Sequence, residues 1–543
     1  MKLFSLIAKS LRGRRRSMGS GSAAVWIAAA ATAMALVSMS ATASEPGTLV
    51  VGMYRPTLSL NQALNPDYTS TVTGSQVFAS LLRFDAQGKP QPYLAKSWEW
   101  SADQRTLTMK LVDNGLFHDG KPITSKDVKF SLMTVKSLAG KTSKFNAITE
   151  VRTPDALTVV VQLDRPAPSI LLAMSSPFLP ILPEHVYGQG PIRTNPANTT
   201  GAVGSGPFKL AEFKAGQYVT LERFDKFFLG QPKLERIIFK AGSDLQTLVL
   251  GLERGEIDMI PYMYDWRLIK RLSADPRFTM TADGYGGIGP LNNLMFNLRH
   301  KPLDDVRVRK AIALAIDRPF IAKALLGGVT TVAYSPLAPT TPFYTDKVET
   351  YPLDLKKSAA LLDEAGLKPD GAGVRMKLTM HYPPGNVDYH KNGAEYIRSQ
   401  LRKVGIDVDV RATDFLGWLK AMASGDYDMS MVSLFNFGDP AFGVTPQYSS
   451  TNIQPLPYAN NANYRNPVVD DLLDAGSVEI DPVKRERIYA QFQKIAMDEL
   501  PILPLTVLKY QTVMRKGLTD LPAGFWGTAA PFNDTRWAAG SAN

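Results

Sequence analysis

Aromatic and polar side chains recur together just beyond apolar segments of this 543-residue chain. Such mixtures are what a small-molecule cleft requires, ring faces for apolar contact and a few donors and acceptors for orientation. Met53 is followed by Tyr54-Arg55, Ile260 by Pro261-Tyr262-Met263-Tyr264-Asp265-Trp266, and Val432 by Ser433-Leu434-Phe435-Asn436-Phe437-Gly438-Asp439-Pro440. Tyr54, Tyr262, Tyr264, Phe435 and Phe437 are candidate walls, joined by Trp418, while Asn436 and Asp439 are candidate orienting groups. A single ring could equally fill its own loop, and a helix-borne Trp such as Trp418 is ordinarily core. Convergence of three segments is what points to a cleft.

Catalytic and cofactor motifs fare worse. Gly284-Tyr-Gly286-Gly-Ile-Gly289 has dinucleotide-type spacing, but that motif needs a helix N-terminus after it, and here Pro290 and the strand-like Leu294-Met295-Phe296 follow. The glycines read as a bend between lobes. Gly115 to Lys121 fits most of a P-loop, yet Pro122 stands where a magnesium-binding Ser or Thr belongs. His118, His185, His300, His381 and His390 are scattered without metal-ligand spacing. Gly204-Ser205-Gly206 is no nucleophile elbow. The pairs Asp304-Asp305 and Asp470-Asp471 sit at helix starts, where capping accounts for them. No cofactor and no metal are expected. Paired glycosidase carboxylates carry no fixed spacing, so an exported hydrolase acting on peptides or oligosaccharides stays open as an alternative.

The elements that must position these residues begin after a leader. Lys2, Lys9, Arg12, Arg14, Arg15 and Arg16 precede an apolar run, Ala23 to Val37, and then Ala41-Thr42-Ala43. That order reads as a secretory signal peptide over residues 1–43, because roughly 15 apolar residues fall short of the ~20 that span a bilayer. Export to the periplasm with cleavage near Ala43 is the expectation. The whole chain has 61 Lys and Arg against 50 Asp and Glu, a formal +11; without the six basic residues of the leader it has 55 against 50, or +5. No basic stripe accompanies that charge, so no nucleic-acid partner is expected. The chain has no cysteine, which excludes disulfides and thiolate chemistry. Beyond the leader no apolar run is long enough to span a membrane.

Strand and helix patterns then alternate. Apolar runs near residues 47–53, 107–112 and 157–163 read as strands, and Ser125 caps a helix to Lys136. A strand at 234–240, a helix at 244–254 closed by Gly255 and a strand at 257–260 form a βαβ unit. In the second half, a helix capped by Asp304 and one capped by Asp354 precede strand, helix, strand, helix and strand over residues 376–432. A long helix at 482–500 comes last. Two α/β lobes result, and ligands of open α/β sheets bind beyond the carboxyl ends of strands.

Seven stretches resemble one family. They are Leu94-Ala-Lys-Ser-Trp98, Phe117-His-Asp-Gly120 through Asp127 to Ser131, Gly204-Ser-Gly206-Pro207-Phe208, Arg254-Gly-Glu-Ile-Asp258, Pro302 through Arg307 to Ala311, Leu361 to Gly366, and Glu499-Leu-Pro501. In this order they are similar to the periplasmic solute-binding proteins of ABC importers, extracellular family 5, the dipeptide, oligopeptide and nickel type. The resemblance implies a two-lobed periplasmic-binding-protein fold (type II, cluster C) with an extra subdomain inserted in lobe one. Lobe one would cover 44–290, with the insert about 76–204, lobe two 291–503, and 504–543 would return to lobe one. It also implies a monomer that closes on a peptide or small-molecule ligand and docks on an inner-membrane ABC permease. Peptide-binding relatives place an Asp four residues before a loop Pro to pair with the peptide ammonium; counting back from Pro440 gives Asn436, which offers no charge. A peptide or similar-sized polar solute is the expected guest.

Overall fold

The computed structural model describes residues 47–140, 143–385 and 389–540; the expected leader lies outside them. Apolar runs buried on both faces form the centre of the first lobe, as parallel strands covered on each side do. Thr48–Met53 lies between Arg236–Ala241 and Met259–Met263 and pairs in parallel with each. The expected βαβ unit therefore crosses over the first strand, with helix Leu245–Glu253 as its connection. Phe208–Lys214, Tyr218–Arg223, Phe278–Thr281 and Gln511–Arg515 complete this seven-stranded sheet.

The insertion forms its own antiparallel sheet from Ala95–Trp100, Thr106–Leu111, Thr158–Leu163 and Ile148–Asp155, covered by helix Ser125–Ala139. The helix N-cap is Thr124, one residue before the expected Ser125. Asp127 explains the shift, because its Oδ2 accepts both the backbone N–H and the hydroxyl of Thr124 (2.9 and 2.8 Å), while the Ser125 hydroxyl donates to the Asp155 carbonyl.

Lobe two is a six-stranded sheet in the order Thr331–Val332, Ile502–Val507, Pro290–Phe296, Met429–Phe435, Met376–Tyr382, Ile406–Ala412. Asp305, not Asp304, caps helix Val306–Ala315 by accepting from the Arg307 N–H at 2.8 Å. The chain crosses between lobes at residues 282–289 and again at 508–510. The return lies past the expected Pro504, because Pro504, Thr506 and Val507 still pair with Asn293, Asn292 and Leu291.

The stretches that carried the family resemblance fasten this fold. His118 accepts the Gly204 N–H at Nδ1 (3.2 Å) and reaches the Gly206 carbonyl through Nε2 (3.1 Å), so the ring is held neutral with its proton on Nε2. Burial pulls it down to about 4. Fully buried Asp258 accepts the Val50 N–H at 2.8 Å and meets Arg515 at 3.1 Å. Arg309 donates to the carbonyls of Leu303, Asp304, Glu499 and Leu500, tying two of the stretches together.

Candidate functional site

Carboxyl ends of the parallel strands in both sheets face the line where the lobes meet. Tyr54 follows Met53 there and stacks on Tyr68 at 4.8 Å, 7° from parallel. Tyr68 meets Tyr262 edge-on at 4.4 Å, and Tyr262 continues to Tyr285 at 5.0 Å and Tyr510 at 5.3 Å. Tyr510 belongs to the returning crossover and also touches Tyr264 at 5.8 Å. The chain of rings then changes lobe, since Tyr264 meets Tyr389, on the lobe-two helix described over Tyr389–Arg402, edge-on at 5.8 Å. Burial raises the pKa of all seven phenols, so the wall they form is uncharged.

A polar row backs the wall on the lobe-two side. The Tyr389 hydroxyl lies 2.7 Å from Ser433 Oγ, which donates to Asn292 Oδ1 at 2.9 Å, and Asn292 Nδ2 donates to Thr506 at 3.2 Å. His390 Nε2 is 3.2 Å from the same Ser433 oxygen. Burial, partly opposed by a bond to the Pro383 backbone, takes His390 down to about 3 and leaves it neutral.

Strand Met429–Phe435 carries the line onward. Phe435 and Phe437 are 5.8 Å apart, and Phe437 packs on Phe178 of the insertion at 6.2 Å. Phe178 also meets Phe442 at 5.9 Å and Trp526 at 5.3 Å. Three of these rings surround one amine: Lys144 Nζ lies 4.8 Å from the centroid of Phe178, 5.3 Å from Phe442 and 5.8 Å from Phe437. Gly438 lets the loop come this close. Its φ is +74°, and a Cβ there would stand 2.5 Å from Phe525 and 3.0 Å from Leu172.

The structure thus brings Tyr54, Tyr262, Tyr264, Phe435 and Phe437 to one line. Trp418, Asn436 and Asp439 turn away from it, each for a local reason. Trp418 is 1% exposed on the apolar face of helix Phe415–Ser424 and donates to Ser430 at 3.0 Å inside the lobe-two core. Asn436 is 2% exposed, its Oδ1 accepting from the Ala338 N–H (2.6 Å) and the Thr341 hydroxyl (2.9 Å) while Nδ2 donates to Pro336. Asp439 caps the following turn and is gripped by Arg485 through two bonds of 2.8 Å.

Tyr68, Tyr285, Tyr389, Tyr510, Phe178 and Lys144 carried no signal in their local sequence. A groove of about 670 Å³ runs along the insertion's helix past Lys129, Phe130, Met133 and Tyr187, apart from the interlobe line. Among the described residues, no group of three or more His, Cys, Asp or Glu could hold a metal, and no helix is long and apolar enough to cross a membrane.

Two α/β lobes joined by two crossovers, with rings lining the seam, define a two-lobed binding protein. Residues 89–455 match the family of bacterial extracellular solute-binding proteins, family 5 (middle), and the chain belongs to that family. It is 28% identical over 501 residues to the oligopeptide-binding protein AppA of Bacillus subtilis, covering 87% of this chain and 88% of that one. It is 27% identical over 481 residues to the glutathione-binding protein GsiB of Escherichia coli, covering 85% and 88%. The crystal structure of NikZ from Campylobacter jejuni in complex with Ni(L-His) superposes with a TM-score of 0.79 at 26% identity, covering 90% of this chain and 98% of that one. The protein is a solute-binding component of an ABC transport system, and its family comprises substrate-binding proteins rather than enzymes.

Proposed function

We propose that the protein captures a peptide or similar-sized polar solute between its lobes in the periplasm and delivers it, unaltered, to an inner-membrane ABC permease. The observation that carries this reading is the Tyr264–Tyr389 contact across the lobes, continuous through Tyr510 with a crossover. A guest contacting Tyr54, Tyr262 and Tyr264 on one side and Tyr389, Phe435 and Phe437 on the other binds both lobes at once, so it favours the closed form by its differential affinity. Uncharged rings with a backing row of Ser433, Asn292 and His390 suit a solute of mixed polarity. Relatives named for oligopeptides and glutathione, and one holding Ni(L-His), show the range of guests the scaffold accepts.

Native mass spectrometry of protein recovered from its own periplasm tests this. It should show a monomer beginning after Ala43 with one non-covalent solute of unchanged mass. A product of hydrolysis in place of that solute would favour the exported-hydrolase alternative and defeat the reading.

A further inference from the structure

Among the described residues, two cations on the interlobe line, Lys144 and Arg55, have no carboxylate paired with them. The Lys144 amine faces three phenylalanine rings, two of them from the opposite lobe, and burial pulls it down to about 8 with no hydrogen bond or opposing charge acting on it. Ring faces offer a cation their negative quadrupole but give its N–H donors no acceptor. Trp526, also packed on Phe178, has an indole N–H that is likewise without an acceptor among the described residues.

At the other end of the line Arg55 extends from lobe one over Phe415 of lobe two, its Cζ 5.4 Å from the ring centroid. Its charge reaches Tyr54, Tyr264 and Tyr458, where it partly opposes the rise caused by burial.

The carboxylates on the surrounding loops are occupied. Asp67 caps helix Tyr68–Val77, Asp265 caps Trp266–Ser273, Asp414 caps Phe415–Ser424, and Asp439 is held by Arg485. Each of these acids arose at a sequence position where a helix starts, and each is engaged there by backbone N–H groups. These carboxylates keep their charge, and those of Asp67 and Asp265 act on Tyr54 and Tyr264 near Arg55; at the Lys144 end the described residues set only rings beside the amine.

We infer that the guest is an anionic solute, bearing a carboxylate or comparable oxyanion flanked by apolar atoms, and that Lys144 is its anchor, with Arg55 as the second positive group. An oxyanion on Lys144 supplies the acceptor the rings lack, and its apolar flank rests on Phe178, Phe437 and Phe442. This rests on the capture reading above and narrows it to a chemical class.

The test incubates unfolded-and-refolded, ligand-free protein with yeast extract, removes unbound solute by gel filtration and identifies what is retained by mass spectrometry. Wild type should retain solutes that are anionic at neutral pH. Lys144→Met should lose at least nine-tenths of that retention with its far-UV spectrum unchanged, and Lys144→Arg should restore most of it, which a merely space-filling role for the side chain would not require. Retention of only neutral or cationic solutes, or equal retention by Lys144→Met, overturns the anion assignment and leaves capture standing. Retention of nothing by wild type overturns both.

Discussion

Two charges meet at one loop, residues 436–442, the buried Asp439 within it and the half-buried Lys144 against it, and they are treated in opposite ways. Asp439 meets Arg485 through two bonds of 2.8 Å, and both side chains are closed from solvent. Lys144 approaches the same loop from the insertion and finds only rings. A charge that is answered inside one lobe holds that lobe together and is lost to binding. One that is left unanswered where two lobes meet costs stability in the empty protein and is available to a guest.

Removing one partner of the answered pair should have the largest effect. Arg485→Met leaves Asp439 buried and alone, with an expected loss of about 3–5 kcal/mol in urea unfolding; a loss below ~1 kcal/mol would mean that solvent reaches the pair and that the contrast is false.

Lys144→Met should act in the other direction, stabilising the ligand-free protein by about 1–3 kcal/mol at neutral pH. The sign follows from the constants. In the folded state the amine titrates at about 8, against 10.5 for an ordinary lysine, so the folded protein holds this proton less tightly than the unfolded chain does. The penalty is complete below pH 8 and fades as pH rises from there to 10.5, so the advantage of Lys144→Met should fade with it. The facing groups Phe178, Phe437 and Phe442 carry no charge, and Asp439 is paired with Arg485, so among the described residues no titrating group touches the amine. Anion retention should decline over the same rise in pH, because the amine loses its charge.

Asn436→Ala sharpens the comparison from the structural side. It strips acceptors from the Ala338 N–H and the Thr341 hydroxyl and should cost about 1–3 kcal/mol of stability, leaving solute affinity unchanged; weakened affinity at full stability would return Asn436 to the site. Smallest of all, Tyr389→Phe removes one hydroxyl from Ser433 and should cost about 0.5–1.5 kcal/mol, seen as a shift in the urea midpoint at constant slope.

Period and capping made the fold legible. Asp354 caps the helix expected of it, and the strand and helix alternation of the second half appears in order. The cap lies one residue from the expected one at Ser125 and at Asp304, where a neighbouring side chain, Thr124 or Asp305, makes the local bonds instead. The site was half legible. Tyr54, Tyr262, Tyr264, Phe435 and Phe437 lie at or just beyond the carboxyl ends of strands, a position readable from local pattern. Tyr389, Phe178 and Lys144 join them only through contacts between segments far apart in sequence, which no local pattern encodes. Asn436 and Asp439 sat on the right loop, but loop membership does not say which way a side chain points. That was settled by Thr341 and Arg485, residues remote in the chain.

Gly438 has a consequence for how the molecule could be arrested. Its missing side chain is what allows the loop to nest against Phe525 and Leu172, so a bulky replacement would serve as a doorstop. Such a jammed protein keeps each lobe's half of the seam while denying the permease the shape it docks, and so would separate loading of cargo from its handover.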